Sequence, residues 1–473
     1  MNLIRLYTLA LSLGGFLSGM AMTAHPDSLT LSLDRCISIA LDENPTVKVA
    51  DMEIERMDYS KKETIGQLLP TISFGASYNR TLAKQTMYMN MGRTQQSSAS
   101  KEDGETQSSS RSSSDGGIKV GLDNSYSMGF QASLPIIAPQ LWKTLDLSDS
   151  RILQSVEQAR SSRLQLVNQV KNAYYTLLLA IDSYEVIKES YDMAKFTADL
   201  YARKFELGAA SRYDVLRTQV AVKNVEPELT QATISIKRAR LQLAILLGFE
   251  SSVNIVPDIT LSSYESTMYD TALNLNKSID NNTDLRLLDI NTSQLQNTLD
   301  IQKMAWYPTL ALTANYNWTS MSNGSPLKNF RWNPYSMVGL TLSIPLFEGG
   351  QRYTRIKQAR IQLDEMKWQR DNLVRSINMQ TDLAVENIKM NVQQISSCSE
   401  SMKQAETAHD IMKQSFEIGA ASYLDLRDSE LALTQSRLAY NQSIYNYLIA
   451  NSDLELLLGN ADLSSYSTTH TAN

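Results

Sequence analysis

The chain has 473 residues, a net charge of −6 and a sequence pI of about 5.4, which argues against a phosphate-binding surface and so against nucleic acid as a partner. Only 19 Gly and 11 Pro occur in that length, which favours long helices in several domains or one very elongated one. The three histidines (His25, His409, His470) are scattered away from the two cysteines, and no phosphate-cradling Gly loop or nucleophile elbow appears, so the chain is read as no enzyme, with no catalytic residue, metal site or cofactor.

Residues 1–21 read as a secretory signal. Arg5 supplies the positive region, Leu6 to Phe16 is apolar, and Gly19 and Ala21 suit the small positions before a cleavage after Ala21. The apolar run is shorter than the roughly 20 residues a membrane anchor needs. The first cysteine, Cys36, sits in Leu33-Asp34-Arg35-Cys36, where charged neighbours do not suit lipid attachment. No later stretch is long and apolar enough for a transmembrane helix, so an exported chain of this kind is either soluble or spans a membrane with strands.

Repeat 1 is expected over residues 22–250. A strand at about 71–79 alternates Ile72, Phe74, Ala76 and Tyr78 with Ser73, Gly75, Ser77 and Asn79. A Ser-rich loop, 80–124, follows. A second strand at about 125–134 sets Tyr126, Met128, Phe130, Ala132 and Leu134 against small and polar residues. From about Leu141 to Leu207 no Pro or Gly intervenes, and Leu177, Ile181, Tyr184, Ile187, Tyr191, Ala194, Ala198, Tyr201 and Phe205 mark a coiled-coil stripe. A hairpin tip near Gly208 leads to a return helix, which Pro227 should interrupt or kink. Residues 251–272 read as a linker.

Repeat 2, residues 273–460, has the same order. Its strands are expected at about 309–318 and 336–345, a long helix at about 353–418, a tip near Gly419 and a return helix, before a flexible tail at 461–473. Gly208 and Gly419 stand 211 residues apart, as do Gly248 and Gly459, and Pro135 and Pro345 stand 210 apart. FELGAASRYD (205–214) and FEIGAASYLD (416–425) are two copies of one element. Cys398 falls in an apolar helical stripe and reads as a buried free thiol. His409 reads as a surface or boundary residue.

Each strand is about the length that crosses a tilted bilayer. Leu310, Leu312, Leu340 and Leu342 would face lipid, and Tyr78, Tyr126, Tyr316, Trp318, Trp332 and Tyr335 cluster at the loop ends as an aromatic girdle would. Four strands cannot close a barrel, and open edges are not tolerated in lipid. Two copies would give eight strands, a barrel about filled by its own side chains; three give twelve, which can hold a water-filled lumen. The fold class that follows is a mixed α and β membrane protein, internally duplicated. Four transmembrane β-strands per chain form a 12-stranded trimeric β-barrel, continued by a long α-helical coiled-coil barrel in the periplasm.

At this point the chain resembles the TolC family of outer-membrane efflux and secretion channels. The likeness rests on the twice-repeated order of elements, the Asn44-Pro45 helix break, LLPTI leading into the first strand, Pro345-Leu346-Phe347-Glu348-Gly349-Gly350 leaving the last, and the two FE-x-G-A-A-S tips. Repeat 1 departs from the exit pattern with Pro135-Ile136-Ile137-Ala138-Pro139. The resemblance implies a homotrimeric duct in the outer membrane of a Gram-negative-type cell. It would contact outer-membrane lipid and dock a periplasmic adaptor and an inner-membrane pump that supplies the energy.

The resemblance also implies carboxylate rings at a narrow periplasmic entrance, carried here by Asp214, Asp425 and Asp428, and docking of the adaptor at the turns, Gly208, Ala209, Gly419 and Ala420. The alternative for these turns is turn formation alone. Ser211 and Ser422 suit N-caps and put Asp214 and Asp425 at N3, a role in helix initiation that needs no gate. Capping does not explain Asp428, whose counterpart in repeat 1 is Arg217. Where the family often has a latching Tyr and Arg, this chain has Phe416 and Ala421. A different class of function, a secreted structural coiled-coil or adhesin-like protein with soluble hairpins, also fits the helices.

Overall fold

The computed structural model describes residues 28–87, 118–249, 253–266, 268, 277–325 and 331–460. The expected signal segment, the tail and most of the Ser-rich loop lie outside them. In chain order, β1 (Ser28–Leu31) leads to α1 (Leu33–Glu43) and α2 (Pro45–Gly66). β2 (Thr71–Arg80), β3 (Gln85–Met87), β4 (Ile118–Val120) and β5 (Asn124–Ile137) precede two helices, α3 (Pro139–Glu206) and α4 (Arg212–Leu246). Then come β6 (Asn254–Pro257), a 3-10 turn (Leu261–Tyr264) and α5 (Thr283–Met304). β7 (Thr309–Ser322), β8 (Asn333–Ser343), α6 (Gln351–Glu417) and α7 (Tyr423–Leu458) complete the chain. α3 and α6 have 68 and 67 residues, about 100 Å each at 1.5 Å per residue.

The chain divides into two units. One comprises Glu55–Gln154 and Ile290–Trp368 and holds a four-stranded antiparallel sheet in the order β2-β5-β7-β8. Its register gathers the alternating apolar residues expected to face lipid on one face, while Tyr335 and Met337 of β8 fall on the other, opposite Asn317 and Asn315. Phe74 is opposite Phe130, which is opposite Tyr316; Leu134 is opposite Leu312, which is opposite Leu340; Leu310 is opposite Leu342. Ser73, Gln131 and Asn315 line up on the other face. A period of two makes this all or nothing, because a slip of one residue would exchange the faces. Ring pairs cross the strands, with Phe74 and Phe130 centroids 5.0 Å apart and those of Tyr78 and Tyr126 4.8 Å apart.

On the polar face Ser77 and Ser127 share a 2.7 Å hydrogen bond, and Gly129 makes room for Asn317, whose Oδ1 would lie 2.0 Å from a Cβ added there. Ile72, Val338, Leu340 and Leu342 are all more than half exposed, an apolar surface too extensive for water. The strands run longer than expected at β5 and β7, and β8 stops at Ser343, leaving Ile344 and Pro345 outside it. β3 and β4 pair within the loop that sequence left unstructured. Where β5 begins, Asp123 takes Lys84 Nζ at 3.0 Å and the Gly324 amide at 3.1 Å, so the loops of both hairpins are tied together.

The second unit contains Ser155–Asp289, Gln369 onward and the chain up to Ile54. Its core is helical, with Tyr174, Leu177, Leu243, Ile388, Ile395 and Ile444 at its centre. β1 and β6 pair in parallel against it. Part of the expected linker, residues 253–266, is therefore packed structure: Ile255 and Leu261 are fully buried, and Asp182 accepts the Leu261 amide at 3.1 Å.

Two asparagines close the ends of the return helices. Asn44 Nδ2 donates to the Leu246 carbonyl at 2.8 Å while its Oδ1 takes the Thr46 amide at 2.8 Å. Asn282 repeats this, donating to Leu457 O at 2.7 Å and accepting from Leu285 N at 2.9 Å. Each ties a helix end to a helix start, and stripping such a bond from a buried carbonyl costs about 1–3 kcal/mol.

Three expectations change. α4 runs unbroken through Pro227; Ala221 and Ala232 on either side are buried, so packing holds the helix across the one missing amide. His409 is buried, at 6% exposure, rather than at the surface. Cys36 is a buried free thiol, pushed up to about 12 by desolvation, whereas Cys398, also free, is only half-buried.

Candidate functional site

Both tips form the same turn from the same residues. Gly208 has φ +74° and Gly419 φ +79°, a left-handed conformation that a Cβ would disfavour. Around the first, Ala209 N donates to Lys204 O at 2.7 Å and Gly208 N to Phe205 O at 2.9 Å, a Schellman closure of α3. Around the second, Ala420 N reaches Ser415 O at 2.7 Å and Gly419 N reaches Phe416 O at 3.1 Å, closing α6 likewise. Nothing lies within 4 Å of a Cβ built at either glycine, so the backbone of both turns is open. Ala209 and Ala420 are exposed beside them.

The return helices start with full capping boxes. Ser211 Oγ accepts the Asp214 amide at 3.1 Å, and Asp214 Oδ2 accepts the Ser211 amide at 3.1 Å and its hydroxyl at 2.7 Å. Ser422 and Asp425 do the same at 3.3, 3.1 and 2.7 Å. The serine hydroxyls, and then the serine amides, hold both carboxyls below the usual carboxylate range. Such a contribution is complete above the ordinary aspartate pKa and fades only as pH falls through the lowered one, so the tips stay capped and charged at neutral pH. Asp428 is exposed on the face of α7 that follows Asp425, and among the described residues no hydrogen bond or ion pair reaches it.

The two tips meet through side chains whose pairing no sequence spacing reveals. Tyr201 of α3 lies against Tyr423 of α7, centroids 5.6 Å apart at 64°, and against Phe416 of α6 at 6.5 Å. Lys204 Nζ stands 5.4 Å over Tyr201 and 5.5 Å over Phe416. The Arg217 guanidinium of α4 stands 5.4 Å over Tyr423. Four helices therefore converge on one cation–aromatic cluster, each contact contributing about 0.5–1 kcal/mol where exposed. Phe416 keeps a place in it as an aromatic, without the hydroxyl a tyrosine would bring. Further along the same helices, Arg437 joins Glu189 (2.5 Å) and Glu406 (3.0 Å), and His409 Nδ1 is 3.3 Å from Ser429 Oγ. Burial pushes His409 down and Glu430 up.

The apolar sheet face forms the second candidate surface. Leu340 and Leu342 on the edge strand are exposed, and Leu310 and Leu312 beside them are half-buried by their neighbours. No helix of the described residues is long and apolar enough to cross a membrane. Among the described residues no group of three or more His, Cys, Asp or Glu could hold a metal ion.

Comparison with known proteins agrees with this arrangement. The family model described as outer membrane efflux protein matches residues 36–249 and 274–460. Outer membrane protein TolC of Vibrio cholerae is 21% identical over 335 residues, covering 70% of this chain and 76% of that protein. Alkaline protease secretion protein AprF of Pseudomonas aeruginosa is 25% identical over 445 residues, covering 92% and 86%. The crystal structure of the CmeC outer membrane channel of Campylobacter jejuni superposes with a TM-score of 0.66 at 19% identity, over 90% of this chain and 85% of that one, which shows a shared fold.

Proposed function

The chain belongs to the outer membrane efflux protein family, and from that premise we propose that three copies pool their strands into one closed twelve-stranded barrel and act as a passive duct. It works as an outer-membrane channel of an efflux or secretion system, with its helical part in the periplasm. The observation that carries the trimer is the open sheet: β2 and β8 are its edges, and unpaired edges in lipid would leave a row of backbone groups without partners. β8 of one copy pairing with β2 of the next removes every edge. The polar face, with Ser73, Gln131 and Asn315, then lines the lumen, and Leu310, Leu312, Leu340 and Leu342 face lipid. The twofold correspondence of tips, caps and asparagine clasps supports a duplicated chain.

The duct has no chemistry to perform. An inner-membrane pump drives transport, and a periplasmic adaptor docks on the open turns at Gly208, Ala209, Gly419 and Ala420. Cargo is set by the pump. The tips form the periplasmic entrance, where Asp214, Asp425 and Asp428 repeat around the threefold axis. Carboxylate rings in a constriction concentrate cations and exclude anions. Asp428 carries the most weight because no capping role accounts for it, and its repeat-1 counterpart is Arg217 on Tyr423. The gate therefore leans on the second repeat. The cation–aromatic cluster of Tyr201, Lys204, Arg217, Phe416 and Tyr423 takes the place of the polar latch that Phe416 and Ala421 cannot form.

Conductance across planar bilayers tests this reading. The Asp428→Ala chain should insert normally, carry current, and show weaker cation selectivity and weaker block by divalent and trivalent cations. The Asp425→Ala/Asp428→Ala double variant should lose more of both. Unchanged selectivity in the double variant would leave Asp425 with capping alone and Asp428 without a role.

A further inference from the structure

The junction between β8 and α6 carries a charge pattern that a channel does not need. Between Glu348 and Asp364 there are four cations, Arg352, Arg355, Lys357 and Arg360, and no acid. The matching stretch of repeat 1, where α3 begins, has Lys143 balanced by Asp146 and Asp149. Cations in the first turns of a helix oppose its dipole, so helix stability does not account for the run.

Its ionic state is also unlike its surroundings. Elsewhere in the helices of this unit, lysines are paired: Lys61 with Asp149 at 2.6 Å, Lys62 with Asp58 at 2.7 Å, Lys143 with Asp146 at 2.8 Å, Lys303 with Asp300 at 2.7 Å and Lys367 with Asp364 at 2.8 Å. Arg352 turns inward, donating to Pro345 O at 2.8 Å, meeting Glu348 at 3.1 Å and stacking 5.2 Å from the Trp306 ring. Arg355, Lys357 and Arg360 remain exposed. Arg355 donates to the Gln351 amide oxygen at 3.0 Å and acts on Glu348 from beyond ion-pair distance, and Lys357 stands over the face of Tyr353 at 4.7 Å. None of the three has a carboxylate within ion-pair distance among the described residues.

Directly before them, Leu346 and Phe347 are each 85% exposed. Six residues earlier stand Leu340 and, two after it, Leu342, on the lipid-facing side of β8. Side chains on a helix lean toward its N-terminus, and the N-terminus of α6 is the end joined to the membrane strand. Lys357 and Arg360, three residues apart, share one face of α6, whereas Arg355 lies across the helix from Lys357; the pair leans back toward the bilayer, with reach enough to snorkel to the headgroups.

We infer that Lys357 and Arg360, beneath Leu346 and Phe347, form a headgroup site for an anionic phospholipid of the periplasm-facing leaflet. The inference rests on the outer-membrane placement of the strands. Leu346 and Phe347 enter the acyl boundary, and the cations take the phosphate. Continuity with the lipid-facing strand and the unbalanced charge both select a lipid over a soluble anion. Three copies would place such a site at each of three equivalent junctions and tie the strand–helix corner to the bilayer edge.

The test uses the full chain assembled in detergent and native mass spectrometry with phosphatidylglycerol or phosphatidylcholine added. Phosphatidylglycerol should be retained and phosphatidylcholine lost, with retention falling as salt rises. Each of Lys357→Gln and Arg360→Gln should weaken retention roughly five-fold, from the contribution of a basic residue at an anionic surface, the Lys357→Gln/Arg360→Gln double variant should weaken it further, and Arg355→Gln, across the helix, should weaken it less than either single variant. Lys143→Gln, at a paired lysine, should change nothing, and bilayer conductance should be normal throughout, which separates this result from a failure of the duct itself. If the double variant does not assemble, Lys357→Gln alone carries the test. Equal retention by variant and wild type, equal retention of phosphatidylcholine, or displacement by inorganic phosphate at matched concentration would overturn the site. So would a variant whose only change is a weaker oligomer, which would mean that the cations pair with a neighbouring copy.

Discussion

Replacing Leu312 or Leu342 by arginine is expected to keep the chain out of the outer membrane as an assembled channel. Leu312 pairs with Leu134 on one side and Leu340 on the other, and Leu342 pairs with Leu310, so each arginine would interrupt a continuous apolar band. At mid-bilayer such a charge costs about 2–4 kcal/mol. Three copies repeat the cost around the barrel, for a total of roughly 6–12 kcal/mol, comparable with the whole stability of an ordinary domain. Asn315→Lys makes the control: Asn315 lies on the opposite face, across from Gln131 and Met337, where a lumen would hydrate the charge. Outer-membrane fractionation with a heat-dependent gel shift reads both. Arginine variants that assemble like wild type, or that stay water-soluble and folded, would remove lipid from the account and favour a secreted coiled-coil protein instead.

Removing the cluster that joins the tips is expected to open the entrance. Arg217→Ala deletes one cation–aromatic contact, and Tyr423→Ala deletes that contact together with the Tyr201 pair. An exposed cation–aromatic contact contributes about 0.5–1 kcal/mol and an aromatic pair about 0.5–1.5 kcal/mol. Tyr423→Ala should thus loosen each chain by about 1–2.5 kcal/mol. If the three chains open together, the open fraction rises by roughly a hundred-fold or more from the same magnitudes. Single-channel recording should show longer and larger openings than wild type, in the order wild type, Arg217→Ala, Tyr423→Ala. Lys223→Ala, at an exposed lysine paired with Glu226 away from the cluster, should behave as wild type. Conductance that ignores both Arg217→Ala and Tyr423→Ala would mean that the tips are held shut elsewhere, with the Arg437 pairs to Glu189 and Glu406 the next place to look.

Local signals made much of this legible in the sequence. Alternation placed the strands because one face had to be apolar along its whole length, and the register then joined those residues across the sheet. Gly208, Ser211 and Asp214, like Gly419, Ser422 and Asp425, act within a few residues of one another, so their turn and caps could be read from spacing alone. What spacing could not give were pairings between distant segments. Tyr201 and Tyr423 are far apart in the chain and looked like a stripe residue and a residue after a cap. Asn44 stood out because Pro45 follows it, but its twin Asn282 precedes Thr283 and carries no such marker. His409 looked peripheral because it sits beside the apolar stripe of its own helix rather than in it. Its burial comes from α3 and α7 closing over it, which its own segment cannot report. Pro227 misled in the opposite direction, since a local rule for breaking helices lost to packing on both flanks.

Three chains should share one barrel through β2 and β8. In a background with Cys36 and Cys398 replaced by serine, single cysteines would be placed in pairs along the two edges: at Ser73, Gly75 or Ser77 in β2 and at Thr341, Gly339 or Met337 in β8. Disulfides form only where the Cβ atoms come within about 3.5–4.5 Å, so one register should cross-link and its neighbours should not. On a denaturing gel that pair should give a ladder of one, two and three linked chains that stops at three. A ladder that stops at two, or no cross-linked product from any pairing, would contradict the trimeric duct.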